Sequence, residues 1–427
     1  MPMTLRFHLT ATLVLAVPAM SQNVLDPAGG RTIEDLVQRA LAQNGAILAG
    51  ESQIAAARGG VTQARLKANP SVQINDAQQT TGSMNNFMIG GTLPLELYHR
   101  RERRITVAEA NVKMTSFEQA ERQRQIRAEV ESKFGDVLAA ARNLQVANDL
   151  LALNKRALDL TQARADQGAL PPLDANLMRV EVNRIDSLRV DLESRLGIAM
   201  LELKTLTGMN ANEDLRIKGS LEAGFPVAED VAVQRVLDAR PDLLAARASE
   251  EVAAARLHQA ATEARPDASF SVSYQRADSS FDVNGLNAAG QLRPVQGVFH
   301  FLAAGVSINL PSRNKNQGAI ETAVAQGQEA KRRREYAELV AAREVAAALL
   351  AREKAQESLR IFRDGVRGQA SQNLEVVRRT YELGRTQLLD VISEQRRFID
   401  IEMGYTEALN RSFQAAIRMR TVTGGRP

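Results

Sequence analysis

Two carboxylates stand out by their placement. Asp174 and Asp390 close matching segments, Gly168-Ala-Leu-Pro-Pro-Leu-Asp174 and Gly384-Arg-Thr-Gln-Leu-Leu-Asp390. An acidic side chain in a helix's first turn answers the helix dipole. Several copies of one such Asp, brought close together, would repel each other and attract cations. Arg100, Arg101, Arg103 and Arg104 form a cationic cluster, and Lys331 to Arg334 form a second run. His8, His99, His258 and His300 lie far apart without metal-ligand spacing. With no Cys there is no disulfide, thiolate metal site or thiol nucleophile, and N-terminal lipid attachment is not expected. No segment resembles a nucleophile elbow, a phosphate loop or a paired acid and base. Neither an enzyme activity nor a cofactor or metal site is expected.

The elements that must hold these residues are long. The 427 residues contain no Trp and only 17 aromatics, against many Ala, Arg, Glu, Gln and Leu. Those are strong helix formers. Prolines are absent from Leu95 to Leu170 and from Ser312 to Arg426, so two long helices are predicted. The net charge of +4 is spread over interspersed acids and bases. That pattern reads as solvated helix faces, and no nucleic-acid patch is expected. Arg6, the apolar stretch Phe7 to Val17 and the small residues Ala19 and Ser21 read as a signal peptide over 1–21. No other segment reaches about 18 apolar residues, so no transmembrane helix is expected.

The chain repeats itself. At an offset of 216 the two Gly-to-Asp segments align, as do Leu206-Thr207-Gly208 and Val422-Thr423-Gly424. At 196, Gln38-Arg39-Ala40-Leu41 aligns with Gln234-Arg235-Val236-Leu237. The change of offset falls in a loop predicted from Ala277 to Gly297. Two copies are read, 22–208 and 229–427, joined by a linker over 209–228. Each reads helix, strand, strand, long helix, helix. The helices are predicted near Ile33–Ala68, Glu96–Ala165 and Pro172–Thr207, then Asp230–Arg265, Ser312–Tyr381 and Thr386–Val422. Each long helix would run for about 105 Å at 1.5 Å per residue. Val137, Leu144, Leu151 and Leu158 recur every seven residues with Ala140 and Ala147 between them, a coiled-coil-like seam. A soluble helical bundle would show the same seam.

The strands, predicted over 70–95 and 269–310, separate the readings. Ser269 to Tyr274 and Leu302 to Leu310 alternate apolar with small or polar residues. So do Val72, Ile74, Phe87, Ile89, Gly91 and Leu93 with their neighbours. A membrane barrel with a wet lumen alternates so, as does a half-buried soluble strand. The segments Pro70–Tyr98 and Ser269–Leu310 are a sixth of the chain yet hold seven of the 17 aromatics. Four strands cannot close a barrel, and lipid tolerates no open edge. Three chains would give twelve strands, which points to a homotrimer.

These features together resemble the TolC family of outer-membrane efflux proteins. The resemblance rests on the duplicated unit, the segments at Gly168 and Gly384, and the Leu93-Pro94-Leu95 and Leu310-Pro311 motifs where strand meets helix. It implies a mainly α protomer with a small β part. Three protomers would form a twelve-stranded outer-membrane barrel continued by a twelve-helix α-barrel in the periplasm. It implies a passive exit duct, served by a periplasmic adaptor and an inner-membrane pump of RND or ABC type. A duct for type I protein secretion would share the fold. A periplasmic coiled-coil adaptor is the other reading, and would need more strands. Under the resemblance the turns at Gly168 and Gly384 form the periplasmic tip, with Arg385 and Thr386 as adaptor contacts. Asp390 and Asp174 are the candidates for lining its aperture. A second carboxylate of the family falls where this chain has Ser393. The arginines from Arg100 to Arg104 are candidates for lipid headgroups. The family's frequent mid-helix Pro is replaced by Gly365-Val-Arg-Gly368, and Leu93–Ile105 resembles the cobalt-zinc-cadmium branch.

Overall fold

The computed structural model describes residues 24–80, 84–225 and 238–423. The predicted signal peptide, linker residues 226–228 and the helix start at Asp230 lie outside them. The helices are α1 (Ile33–Gln43), α2 (Gly45–Arg65), α3 (Arg100–Asp166), α4 (Pro172–Leu206), α5 (Pro241–Glu263), α6 (Gln317–Ile361), α7 (Arg367–Glu382) and α8 (Leu388–Val422). The strands are β1 (Ser71–Gln78), β2 (Asn85–Pro94), β3 (Asp267–Leu286) and β4 (Leu292–Asn309). The chain forms two compact units. Of the described residues, one unit comprises 24–49, 121–225 and 341–423, the other 50–80, 84–120 and 238–340.

The first unit is helical. Its largest core gathers Leu36 and Val37 of α1, Val130, Phe134 and Val137 of α3, Met200 and Leu203 of α4, and Tyr405, Leu409 and Phe413 of α8. The segment predicted as a linker belongs to this core. Met209, Leu215, Ile217 and Leu221 are all buried in it, and Ile217 bridges to Leu25 and Arg31. Apolar side chains at these positions remove enough surface from water to hold a segment whose regular structure is a single 3-10 turn, Leu221–Ala223. The heptad seam of α3 faces inward: Val137, Ala147 and Leu151 are buried.

The second unit carries a four-stranded antiparallel sheet of order β1-β2-β3-β4. β1 and β4 each have one edge that bonds to no described strand.

Several helix and loop boundaries differ from the sequence reading, among them the helix expected over Asp230–Arg265, which breaks at Arg240 before Pro241. The helix expected over Ile33–Ala68 breaks at Asn44, whose buried amide donates to the Leu206 carbonyl (2.8 Å) and accepts from the Ala46 N–H (2.8 Å). The first long helix starts at Arg100 instead of Glu96. Leu95 N–H bonds to the Ala268 carbonyl and Leu97 N–H to the Asp267 carboxylate, which hold the chain against β3. Glu96, Tyr98 and His99 take positive φ there. The second long helix starts at Gln317 instead of Ser312, because Asn316 turns with φ 57° and ties its amide to the Ala260 carbonyl. It is also interrupted: Phe362–Val366 forms a π turn between α6 and α7, where Arg367 N–H reaches the Phe362 carbonyl. Finally, the predicted loop from Ala277 to Gly297 is mostly strand. β3 and β4 stay paired to Leu286 and Leu292, and the turn needs only residues 287–291, closed by Asn287 and Gly290.

Close helix packing depends on one small residue. A Cβ at Gly135 of α3 would lie 2.6 Å from the Phe413 ring of α8. Gly135→Ala is expected to lower stability by about 2 kcal/mol through overpacking. Adding Phe413→Leu should recover part of that loss, read as the apparent melting temperature in detergent.

Candidate aperture and membrane-facing sites

The sheet has two chemically different faces. One carries Val72 and Ile74 of β1, Ile89 and Leu93 of β2, Phe270, Val272 and Tyr274 of β3, and Leu302, Val306 and Ile308 of β4, all exposed. The register places them side by side, with Ile74 opposite Ile89, Ile89 opposite Tyr274, and Tyr274 opposite Leu302. From Ile308 to Leu302 the band is about 20 Å tall at 3.4 Å per residue. That approaches the roughly 25 Å band of outer-membrane barrels. The next row is polar, Asp76, Arg276 and His300 beside Phe87. His300 Nδ1 lies 2.7 Å from the Tyr274 hydroxyl. Across the rows of that band the opposite face carries Gln73, Gly90, Thr92, Ser271, Ser273 and Gly305, all small or polar, and Met88 and Phe301 stand one row further along it.

At the corner from β2 to α3 the arginines are put to structural use. Arg100 pairs with Asp267 and bonds the Arg265 carbonyl at 2.7 Å. Arg101 bonds the Arg65 carbonyl at 2.8 Å, and Arg104 pairs with Glu96 at 2.5 Å. Only Arg103 of the four is fully exposed. In the second run, Arg332, Arg333 and Arg334 pair with Glu335, Glu329 and Glu250.

The two helix turns share one geometry. Gly168 (φ 76°) and Gly384 (φ 69°) follow α3 and α7 in the left-handed region. Each turn closes with two backbone bonds, Gly168 to Ala165 and Ala169 to Arg164, then Gly384 to Tyr381 and Arg385 to Thr380. This is the Schellman arrangement, which favours glycine. Asp390 is exposed and caps α8: it accepts from the Thr386 hydroxyl (2.8 Å) and the Gln387 N–H (3.2 Å). Thr386 therefore positions Asp390, and Arg385 beside it is exposed. Asp174 is half-buried in the first turn of α4. Ser393 bonds the Leu389 carbonyl instead of presenting a charge. A small core of Met178, Leu388 and Ile392, with Leu158 and Tyr381 against it, ties these helix ends together. Tyr381 escaped the sequence reading. Its hydroxyl is buried without a hydrogen-bond partner among the described residues. Burial, reinforced by the charge of Asp174, raises its pKa. The signal was its place three residues before Gly384.

Buried acids fix the helices above this end. Glu181 of α4 is 1% exposed and meets Arg184 (2.7 Å) and Arg396 of α8 (2.8 Å). Burial pushes its pKa up, but the hydrogen bonds from both guanidinia outweigh that and hold it below the usual value of 4.5. Glu402 binds Arg367 (2.6 Å) and Arg142 (3.6 Å), whose guanidinia lie 4.9 and 5.3 Å from the Tyr405 ring centre. Glu131, paired with Arg420, is the opposite case to Glu181. Burial there exceeds the attraction of Arg420 and raises its pKa above 4.5. A lowered carboxyl pKa gives stability that is full above 4.5 and lost as pH falls through the folded value. A raised one gives stability at low pH that is lost as pH rises past 4.5. Glu181→Gln should therefore cost roughly 2 kcal/mol at pH 7 and flatten the acid side of the melting profile. Glu131→Gln should be neutral or stabilising at pH 7. Thermal melting from pH 3.5 to 8 checks both.

Comparison with known proteins agrees with this geometry. Residues 36–209 and 232–425 match the outer membrane efflux protein family. Over 401 residues the chain is 23% identical to the cobalt-zinc-cadmium resistance protein CzcC of Cupriavidus metallidurans, covering 93% of this chain and 91% of that one. Its fold is similar to a membrane protein from Pseudomonas aeruginosa, with TM-score 0.76, 19% identity and coverage of 92% and 90%. It is also similar to the CmeC outer membrane channel of Campylobacter jejuni, with TM-score 0.74, 14% identity and coverage of 92% and 85%. With its two-faced sheet, its long helices and this match over most of its length, the chain belongs to the outer membrane efflux protein family.

Proposed function

We propose that three copies of this chain close a twelve-stranded barrel in the outer membrane and act as the passive exit duct of a tripartite efflux system. The observation that carries this reading is the four-stranded sheet with an apolar face, a small polar face and two unpaired edges. In hydrocarbon those edges require strands from other copies. Exposed apolar residues on α4 (Leu173, Val180, Val190, Ile198) and along α6 and α7 (Leu350, Ile361, Val376) give the helices faces for neighbouring copies as well.

The duct performs no reaction, and its energy comes from an inner-membrane pump of RND or ABC type. A periplasmic adaptor docks at the turns Gly168 and Gly384, with Arg385 and Thr386 in contact. Asp390 and Asp174, repeated three times, ring the aperture and favour cations. Arg103 meets lipid phosphate at the foot of the barrel, while Arg100, Arg101 and Arg104 brace the corner behind it. The cargo is small molecules or ions, and the name of the CzcC relative favours metal cations among them.

Fractionation with native sizing in detergent is expected to return an outer-membrane trimer. A soluble monomer would refute the duct. In planar bilayers under a salt gradient, Asp174→Asn with Asp390→Asn should move the reversal potential toward zero. Asn keeps the capping acceptor of Asp390, so trimer stability should stay nearly unchanged. An unmoved potential would remove both residues from the aperture.

A further inference from the structure

The β3–β4 pair runs past the sheet. The last pairing of β2 with β3 is Asn86 with Ala277, yet β3 and β4 stay paired as far as Leu286 and Leu292. Within this ribbon the polarity of the two faces reverses. On the face continuous with the apolar band stand Arg276, Asp278, Ser280, Gln296 and His300 beside Val298, and only at the tip do Pro294 and the Leu286–Leu292 pair make it apolar again. On the face continuous with the polar side stand Phe281, Val295, Phe299 and Phe301. Phe281 and Phe299 meet edge to face, with centroids 6.2 Å apart and planes at 88°. Gly297 sits between Val295 and Phe299, where a Cβ would come within 3.1 Å of the Phe299 ring. The three rings and Val295 are between 42% and 51% exposed, so this chain alone does not cover them.

The two faces are already distinguished by the band. If the apolar band meets lipid, the face of Gln73, Ser271 and Ser273 lines the lumen, and the three phenylalanines continue that lining outward. Apolar rings left facing a water-filled lumen would be costly. The same rings of two further copies, related by the threefold axis, would cover them. A twelve-stranded barrel is wider than the eight-stranded kind that side chains fill, so bulky residues are needed to narrow it. We infer that Phe281, Phe299 and Phe301 of three copies of this chain converge at the outer mouth of the duct as an apolar constriction. This rests on the trimeric duct reading. Such a collar excludes water and ions when nothing passes, as hydrophobic constrictions do in channels. Phe281 stands on the ribbon paired only to itself, which lets it yield to cargo, while Phe299 and Phe301 stand where β2 still backs β3.

The natural chain has no cysteine, which makes the test direct. Phe299→Cys and Phe281→Cys, each in the full chain, are treated in outer-membrane vesicles with a short bismaleimide. Val298→Cys, on the opposite face, is the control. Convergence predicts that more than half of each Phe→Cys protein runs as a covalent dimer on denaturing gels, the third copy of each trimer staying monomeric because one thiol per chain can join only one partner. Val298→Cys should take a monofunctional maleimide yet stay monomeric. Two results overturn the constriction while native sizing still shows a trimer: Phe→Cys proteins that label but do not cross-link, or equal cross-linking at Val298→Cys. A native monomer overturns the duct reading and the constriction with it.

Discussion

A strand edge in hydrocarbon has nowhere to put its amide and carbonyl groups. Each group left unpaired there costs several kcal/mol. β1 and β4 of this chain each present an edge that bonds to no described strand, so in hydrocarbon the sheet must be completed by strands from elsewhere. The other properties of the strands follow from that requirement. Gly90 and Ser273 stand opposite each other, and a Cβ at Gly90 would come within 3.2 Å of the Ser273 Cβ. The polar face can therefore hold little more than hydrogen there. On the other side Val72, Ile74 and Leu302 remain exposed, because a bilayer and not a protein core is their solvent.

The helical unit solves a different problem, how to hold long helices in register with few large side chains. Alanine and glycine let the helices approach, as Gly135 does beneath Phe413 and Gly404 beneath the Phe362 ring. Packing of small residues specifies register weakly. The buried acids supply what packing lacks. Glu181 and Glu402 each draw arginines from separate helices onto one carboxylate, and a lateral slip of one helical turn would leave a charge buried without its partners.

Much of this was legible in the sequence because the signals were periodic or punctuating. The alternation of Ser269 to Tyr274 fixed a strand, and Gly168 and Gly384 marked helix ends that only glycine closes cheaply. Failures came where a long-range contact outweighed local propensity. Asn44 breaks a helix-prone stretch because its amide serves Leu206. The stretch after Leu95 leaves the helix because Asp267, far away in sequence, captures its backbone. The loop reading of Ala277 to Gly297 was misled by Asp, Ser, Asn and Gly. Those residues suit turns, but on a paired ribbon they suit the face turned to water. At the tip, the glycines and Asp390 could be found by spacing. For Tyr381 spacing from Gly384 marked only the place, since its burial depends on which helix end packs beside it.

The π turn at Phe362–Val366 has a consequence for how this sequence tolerates change of length. A π turn takes up one residue more than an α turn. One added residue in a regular helix rotates everything after it by about 100°, which would swing the buried Ala370 of α7 away from its contacts. Here the extra residue is absorbed locally, so α6 and α7 each keep their own face. Loss of one residue within Phe362–Val366 would leave a continuous α-helix with both faces still in place, whereas the same loss two turns away would not. The segment is thus a point where the chain length of this helix is free to vary by one, among helices that elsewhere permit no such freedom.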